Sequence, residues 1–103
     1  MASAKFDRFL RLVHKAPAPA HADHLRMRVA LDKTGGRFPD GVMGTPVVAR
    51  GVPAEWIDPP GGATDRVVLY LHGGGYVAGS IDSHRNLTGH LAVAIGCRVL
   101  ALE

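Results

Sequence analysis

Cysteine is almost absent: among 103 residues only Cys97 is one. That excludes a disulfide framework and any CxxC metal or redox motif, and leaves a free thiol within "GCRVLALE" that reads as a small core hydrophobe. Long apolar runs are missing too. No stretch is long enough to span a bilayer, and the N-terminal "MASAKFDRFLRLVHK" carries charges every few residues instead of a signal peptide's apolar segment. The expectation is a cytoplasmic protein without a membrane span. Aromatics number six, and the twelve Lys/Arg are scattered among nine Asp/Glu for a net charge of +3. With no basic block and no base-stacking platform, nucleic acid is not an expected partner.

What is present is a chain of normal hydrophobic content, 47%, sufficient for one domain with a modest core. Phe6, Phe9, Leu10 and Val13 recur at helical spacing after Ser3, a suitable N-cap, and "APAPA" cannot continue that helix. A weaker helical pattern covers Ala22 to Lys33, with Leu25, Val29 and Leu31 on its apolar side. The Gly/Pro-dense "TGGRFPDGVMGTP" reads as a loop. From Val47 the pattern turns to strands. "VVARGVPAEWI" predicts two around Gly51, with Pro53 placing the second at an edge or delaying its start, and Trp56 packing on the sheet. "RVVLYL" and "CRVLAL" read as buried strands, the first covered on both faces. Between them "DSHRNLTGHLAVAIG" predicts a helix with Leu87, Leu91, Ala94 and Ile95 inward, Asp82 or Ser83 as cap, and Gly96 in the left-handed position after its end. Strand, glycine loop, helix and strand make a βαβ unit, so the fold class is α/β.

The chemistry centres on "RVVLYLHGGGYVAGS". Three consecutive glycines after a strand suit either a phosphate cradle or backbone N–H groups aimed at a carbonyl oxygen under attack. Gly73, Gly75 and Ala78 satisfy G-x-G-x-x-A, and Glu103 closes the next strand where an acid would hold a ribose. Against this dinucleotide reading, "YVAGSID" intervenes before any helix cap. A Walker loop is excluded because no Lys-Ser or Lys-Thr pair follows the glycines. The second reading uses the missing Cβ atoms to bend the chain and expose donors to a developing oxyanion. The HGGG pattern is one that lipases and esterases of the α/β-hydrolase fold use this way.

Residues from about Val52 to Glu103, with His-Gly-Gly-Gly and "GS…SH" within them, resemble the hormonesensitive-lipase-like branch of the α/β-hydrolases, nearest to bacterial esterases and ε-lactone hydrolases. The resemblance implies the N-terminal part of an α/β-hydrolase sheet with preceding lid helices: residues 1–44 as a lid-like segment and loop, 45–103 as the first strands and the glycine loop. It implies an oxyanion hole at Gly74 and Gly75, with Gly73 providing the turn and His72 bracing the loop. It also implies no cofactor, and a small acyl ester or lactone as substrate. The family's nucleophile lies in a G-x-S-x-G elbow, followed by an acid and a histidine. Ser3, Ser80 and Ser83 are the only serines, and none has glycines two residues to each side.

A local triad in "SIDSH" from Ser80, Asp82 and His84 puts the acid in the histidine's place, and Ser83 and His84 are expected to diverge as helix neighbours. The helix-cap reading is preferred. His14, His21 and His24, with only Asp23 beside them, read as solvated residues and not as a metal site. The apolar Cys97 to Leu102 segment is expected to form an exposed sheet edge through which chains self-associate.

Overall fold

The computed structural model describes residues 3–15 and 23–103. The "APAPA" break, His21 and the expected helix start at Ala22 lie outside the described residues. Helix α1 covers Ala4–Lys15, and Ser3 caps it: the Phe6 N–H donates to Ser3 Oγ at 3.2 Å. Helix α2 runs His24–Asp32, opened by the Leu25 N–H donating to Asp23 Oδ1 at 2.9 Å. Then follow β1 (Met43–Ala49), β2 (Val52–Asp58), β3 (Ala63–Leu71), a 3-10 turn (Asp82–His84), α3 (Arg85–Ile95) and β4 (Cys97–Leu102).

The four strands form one sheet in the order β1-β2-β4-β3. β1 and β2 are an antiparallel hairpin that closes at Ala49 opposite Val52. Its two-residue turn has Arg50 at φ 48° and Gly51 at φ 85°, the left-handed pair that matches strand twist. Space around Gly51 is open, so Gly51→Ala meets only the backbone penalty. It should lower stability by about 1–2 kcal/mol in urea unfolding. Pro53 faces Val48, and pairing of β2 with β4 begins one residue later at Ala54 opposite Leu102. The strand therefore starts late on that side, as the missing N–H requires.

β3 and β4 pair in parallel, joined by α3, the expected βαβ unit. The expected edge is corrected. β4 lies between β2 and β3, with Cys97, Val99 and Ala101 buried. β1 and β3 are the edge strands instead, and Leu71 on β3 is 66% exposed, so "RVVLYL" is not covered on both faces by the described residues. A continuous apolar run marks a strand with two burial-demanding faces, but it does not say which other elements supply the cover.

The core gathers Ile57, Ala92, Val99 and Ala101, with Phe38, Val42, Val68, Tyr70, Ile81 and Leu91 against it. α3 buries Thr88, Gly89 and Ala92, not Leu87, Ala94 and Ile95, which are exposed. The reason is distance. A Cβ on Gly89 would stand 2.6 Å from Pro39 Cδ, so small residues set how closely the helix approaches. Gly96 takes the left-handed conformation at φ 66° and ends α3 as expected.

Candidate active site

The glycine loop leaves the C-terminal end of β3 and turns within four residues. Gly74 has φ 147°, Gly75 φ 63° and Tyr76 φ 62°. The bend thus begins at Gly74, while Gly73 keeps a negative φ and has open space where a Cβ would be. The Ala78 N–H donates to the Gly74 carbonyl at 3.1 Å and closes the turn. Among the described residues, no acceptor takes the N–H of Gly74 or Gly75. Both glycines line a cavity of about 560 Å³, walled by Arg28, Leu71, His72, Glu103 and the loop from Gly73 to Gly79. An open site with unpaired backbone donors in its wall can receive an anion or an oxygen that becomes negative.

His72 lies beneath this loop. Its Nδ1 is 3.0 Å from the Gly73 carbonyl, a bond that requires the proton on Nδ1. Its ring stacks on His84 with centroids 5.7 Å apart. A Cβ on Gly79, at φ 90°, would come within 2.7 Å of His72 Nδ1 and overlap the Gly73 carbonyl. The position next to the imidazole therefore accepts only hydrogen.

The "SIDSH" segment forms no triad. Asp82 Oδ1 accepts from Arg85 Nη2 at 2.7 Å and does not reach His84. Ser80 and Ser83 cap each other: the Ser80 N–H donates to Ser83 Oγ at 2.8 Å, and the Ser83 N–H to Ser80 Oγ at 3.0 Å. The expected capping of the main helix is thereby corrected. The serines fix the 3-10 turn, and α3 itself, from Arg85, has His84 as its N-cap residue and no side-chain cap. Ser83 and His84 do not diverge either; Ser83 Oγ and His84 Nδ1 are 2.8 Å apart, because His84, at φ −113° and ψ 10°, is not in a helical conformation.

Ser80 Oγ also donates to Asp32 Oδ1, tying the end of α2 to this turn across 48 residues of sequence. Asn86 reinforces the junction, with its N–H on the Gly35 carbonyl at 2.8 Å and its Nδ2 on the Arg37 carbonyl at 2.9 Å. The helical segment is thus docked beside the loop, and Arg28 of α2 reaches the cavity wall.

Two features weigh against a dinucleotide cradle. The glycines open no helix, since α3 begins only at Arg85. Glu103, the would-be ribose ligand, has Oε2 occupied by the Ile81 N–H at 3.1 Å. Trp56 packs against Arg98, whose guanidinium is 4.1 Å from the ring centroid, and it is not among the cavity's lining residues. Sequence reasoning missed Tyr76, Gly79 and the Asp32–Ser80 contact. Only Gly79 carried a signal, as a fourth glycine closely following the first three.

The profile of the family described as alpha/beta hydrolase fold matches residues 68–103. A crystal structure of an esterase/lipase from an uncultured bacterium superposes with a TM-score of 0.90 at 32% identity, covering 99% of this chain and 36% of that one. The fold is that of the α/β-hydrolases. An esterase of the bacterial hormone-sensitive lipase family aligns with this chain at 38% identity and a TM-score of 0.83, over all of it and 36% of the esterase. An acetyl-hydrolase of Streptomyces hygroscopicus is 44% identical over 80 residues, 74% of this chain and 26% of that protein. The chain spans about a quarter of the length of the curated relatives it matches. The profile match takes in the C-terminal end of β3, the glycine loop, α3 and β4, and with them every cavity-lining residue except Arg28.

Proposed function

We propose that this chain supplies the oxyanion-stabilising part of a carboxylic ester or lactone hydrolase. The carrying observation is the pair of unpaired N–H groups at Gly74 and Gly75 in the cavity wall. When a nucleophile adds to an ester carbonyl, its oxygen gains the electron pair of the broken π bond. Two donors already in place stabilise that charge without having to reorganise. Gly74 and Gly75 hold the oxyanion, His72 braces the loop through the Gly73 carbonyl, and the chemistry calls on no cofactor. Residues 1–44 act as a lid-like segment and 45–103 as the sheet and loop; the Asp32–Ser80 bond and Arg28 in the cavity wall support that division. The substrate class is a small acyl ester or lactone, in keeping with relatives that are named acetyl-hydrolase and ethyl acetate hydrolase.

The route is a covalent acyl-serine one, and the sequence contains no G-x-S-x-G serine to start it. The test is hydrolysis of p-nitrophenyl acetate and butyrate by the 103-residue chain alone, and by the chain joined to the product of the reading frame that follows codon 103. Saturable turnover is expected only for the joined protein, and only where that frame brings G-x-S-x-G. Saturable turnover by the chain alone, or none by a joined protein with the elbow, would sink the reading. A second reading draws on the open face of β3: chains associate through that edge. It would appear as concentration-dependent self-association that Leu69→Ser with Leu71→Ser removes.

A further inference from the structure

Helix α1 reads AKFDRFLRLVHK. At about 3.6 residues per turn, Phe6, Phe9, Leu10 and Val13 fall in one stripe, and Arg8, Arg11 and Lys15 on the opposite side. No residue of α1 is buried. Phe6 is 49% and Phe9 57% exposed, and no element of the described residues packs over the stripe. Burial against a protein core would explain the stripe and a charged opposite face, but not that the charge is almost all of one sign. α1 carries Lys5, Arg8, Arg11 and Lys15 against Asp7 alone. The surplus continues through α2 with Arg26, Arg28 and Lys33 against Asp23 and Asp32, whereas the rest of the chain has more acids than bases. The net positive charge of the whole protein therefore belongs to its helical segment. A second copy of α1, laid stripe to stripe, would cover the apolar residues but leave the cations on the outer faces without a counter-charge. An anionic lipid surface satisfies both features at once.

We propose that α1 docks onto an anionic bilayer. The helix, about 18 Å long, lies in the membrane plane with Phe6, Phe9, Leu10 and Val13 toward the acyl chains and its four cations at the headgroups. None of the described helices is long and apolar enough to cross a membrane, so the attachment is peripheral and reversible. It does not depend on the esterase reading.

The test is sedimentation of the 103-residue chain with vesicles of phosphatidylcholine alone and of phosphatidylcholine mixed equally with phosphatidylglycerol, at low salt. Partitioning onto the mixed vesicles should exceed that onto neutral ones by about 100-fold or more, and fall steeply with added salt. Phe6→Ser with Phe9→Ser should abolish it, and Arg8→Gln with Arg11→Gln should weaken it about 30-fold. These side chains are exposed and leave the sheet untouched. Leu69→Ser with Leu71→Ser, on the open face of β3, should leave binding in place. Three results would each overturn the proposal: equal binding to both vesicles, binding that survives loss of both phenylalanines, or loss only in the β3 variant. So would a lipid-free dimer dispersed by the α1 substitutions.

Discussion

Gly74→Ala should destroy the loop, while the same change one residue earlier should leave it almost intact. At Gly74 the backbone has φ 147°, and a new Cβ would overlap the carbonyl group of Ala78. The obstacle is backbone, which no rotamer change can move. It is also part of the turn's own closure, since the Ala78 N–H holds the Gly74 carbonyl at 3.1 Å. A loss of about 3 kcal/mol or more is expected in urea unfolding, from strain and steric overlap together. Gly75→Ala has open space but φ 63°, so it should lose about 1–2 kcal/mol. Gly73→Ala meets neither obstacle and should be nearly neutral. In a protein completed by the nucleophile elbow, Gly74→Ala should lower kcat by about 10²–10³-fold, the cost of a displaced oxyanion donor. Equal effects at Gly73 and Gly74 would mean that the bend is not where the φ angles put it.

That ranking was only partly legible in the sequence. Three glycines after an apolar strand announce a backbone-lined site, because a bare chain at the end of a sheet strand leaves donors free. Which glycine bends the chain depends on dihedral angles and on the return path through Ala78 and Gly79, which no spacing rule encodes. The strands, the helix between them and the Gly96 stop were readable because each is a local pattern of period two or 3.6. Neighbour order in the sheet was not. β4 reads as an edge if the chain's last strand is assumed outermost, yet the hairpin β1–β2 returns to pair on its free side through Ala54 to Ile57. Likewise the inward face of α3 followed volume at a close contact, with Gly89 against Pro39, and not hydrophobicity. The Asp32–Ser80 tie is long-range and polar, and periodicity carries no information on such pairs.

Arg85→Met should be strongly destabilising although it lies outside the loop. Glu55 sits on the interior strand β2 with its side chain only 7% exposed, and its charge is met by Arg85 Nη1 at 3.1 Å. The carboxylate's other oxygen, Oε2, is buried with no hydrogen-bond partner among the described residues, so Arg85 is its principal compensation. Burial works against the guanidinium's own charge. The hydrogen bond to Asp82 and the nearby Glu55 carboxylate outweigh it and hold the pKa above its ordinary value. The arginine therefore stays charged throughout the pH range in which the protein would be handled. Phe38 completes the enclosure, with the guanidinium 4.8 Å from its ring centroid. Removing the cation leaves a buried carboxylate alone, which costs about 3–5 kcal/mol, a large share of the 5–15 kcal/mol, roughly, that holds a domain folded. Replacing both partners, Arg85→Met with Glu55→Leu, should recover most of that loss, since an apolar pair of similar volume needs no compensation. Urea unfolding of the two singles and the double closes the cycle. A single mutant within about 1 kcal/mol of wild type would show the pair to be weak, and a double as unstable as Arg85→Met would assign the loss to packing with Phe38. Because Arg85 grips Asp82 as well as Glu55, the same substitution should also loosen the 3-10 turn that Ser80 and Ser83 build. His84, at the end of that turn, stacks on His72, and the brace beneath Gly73 would go with it.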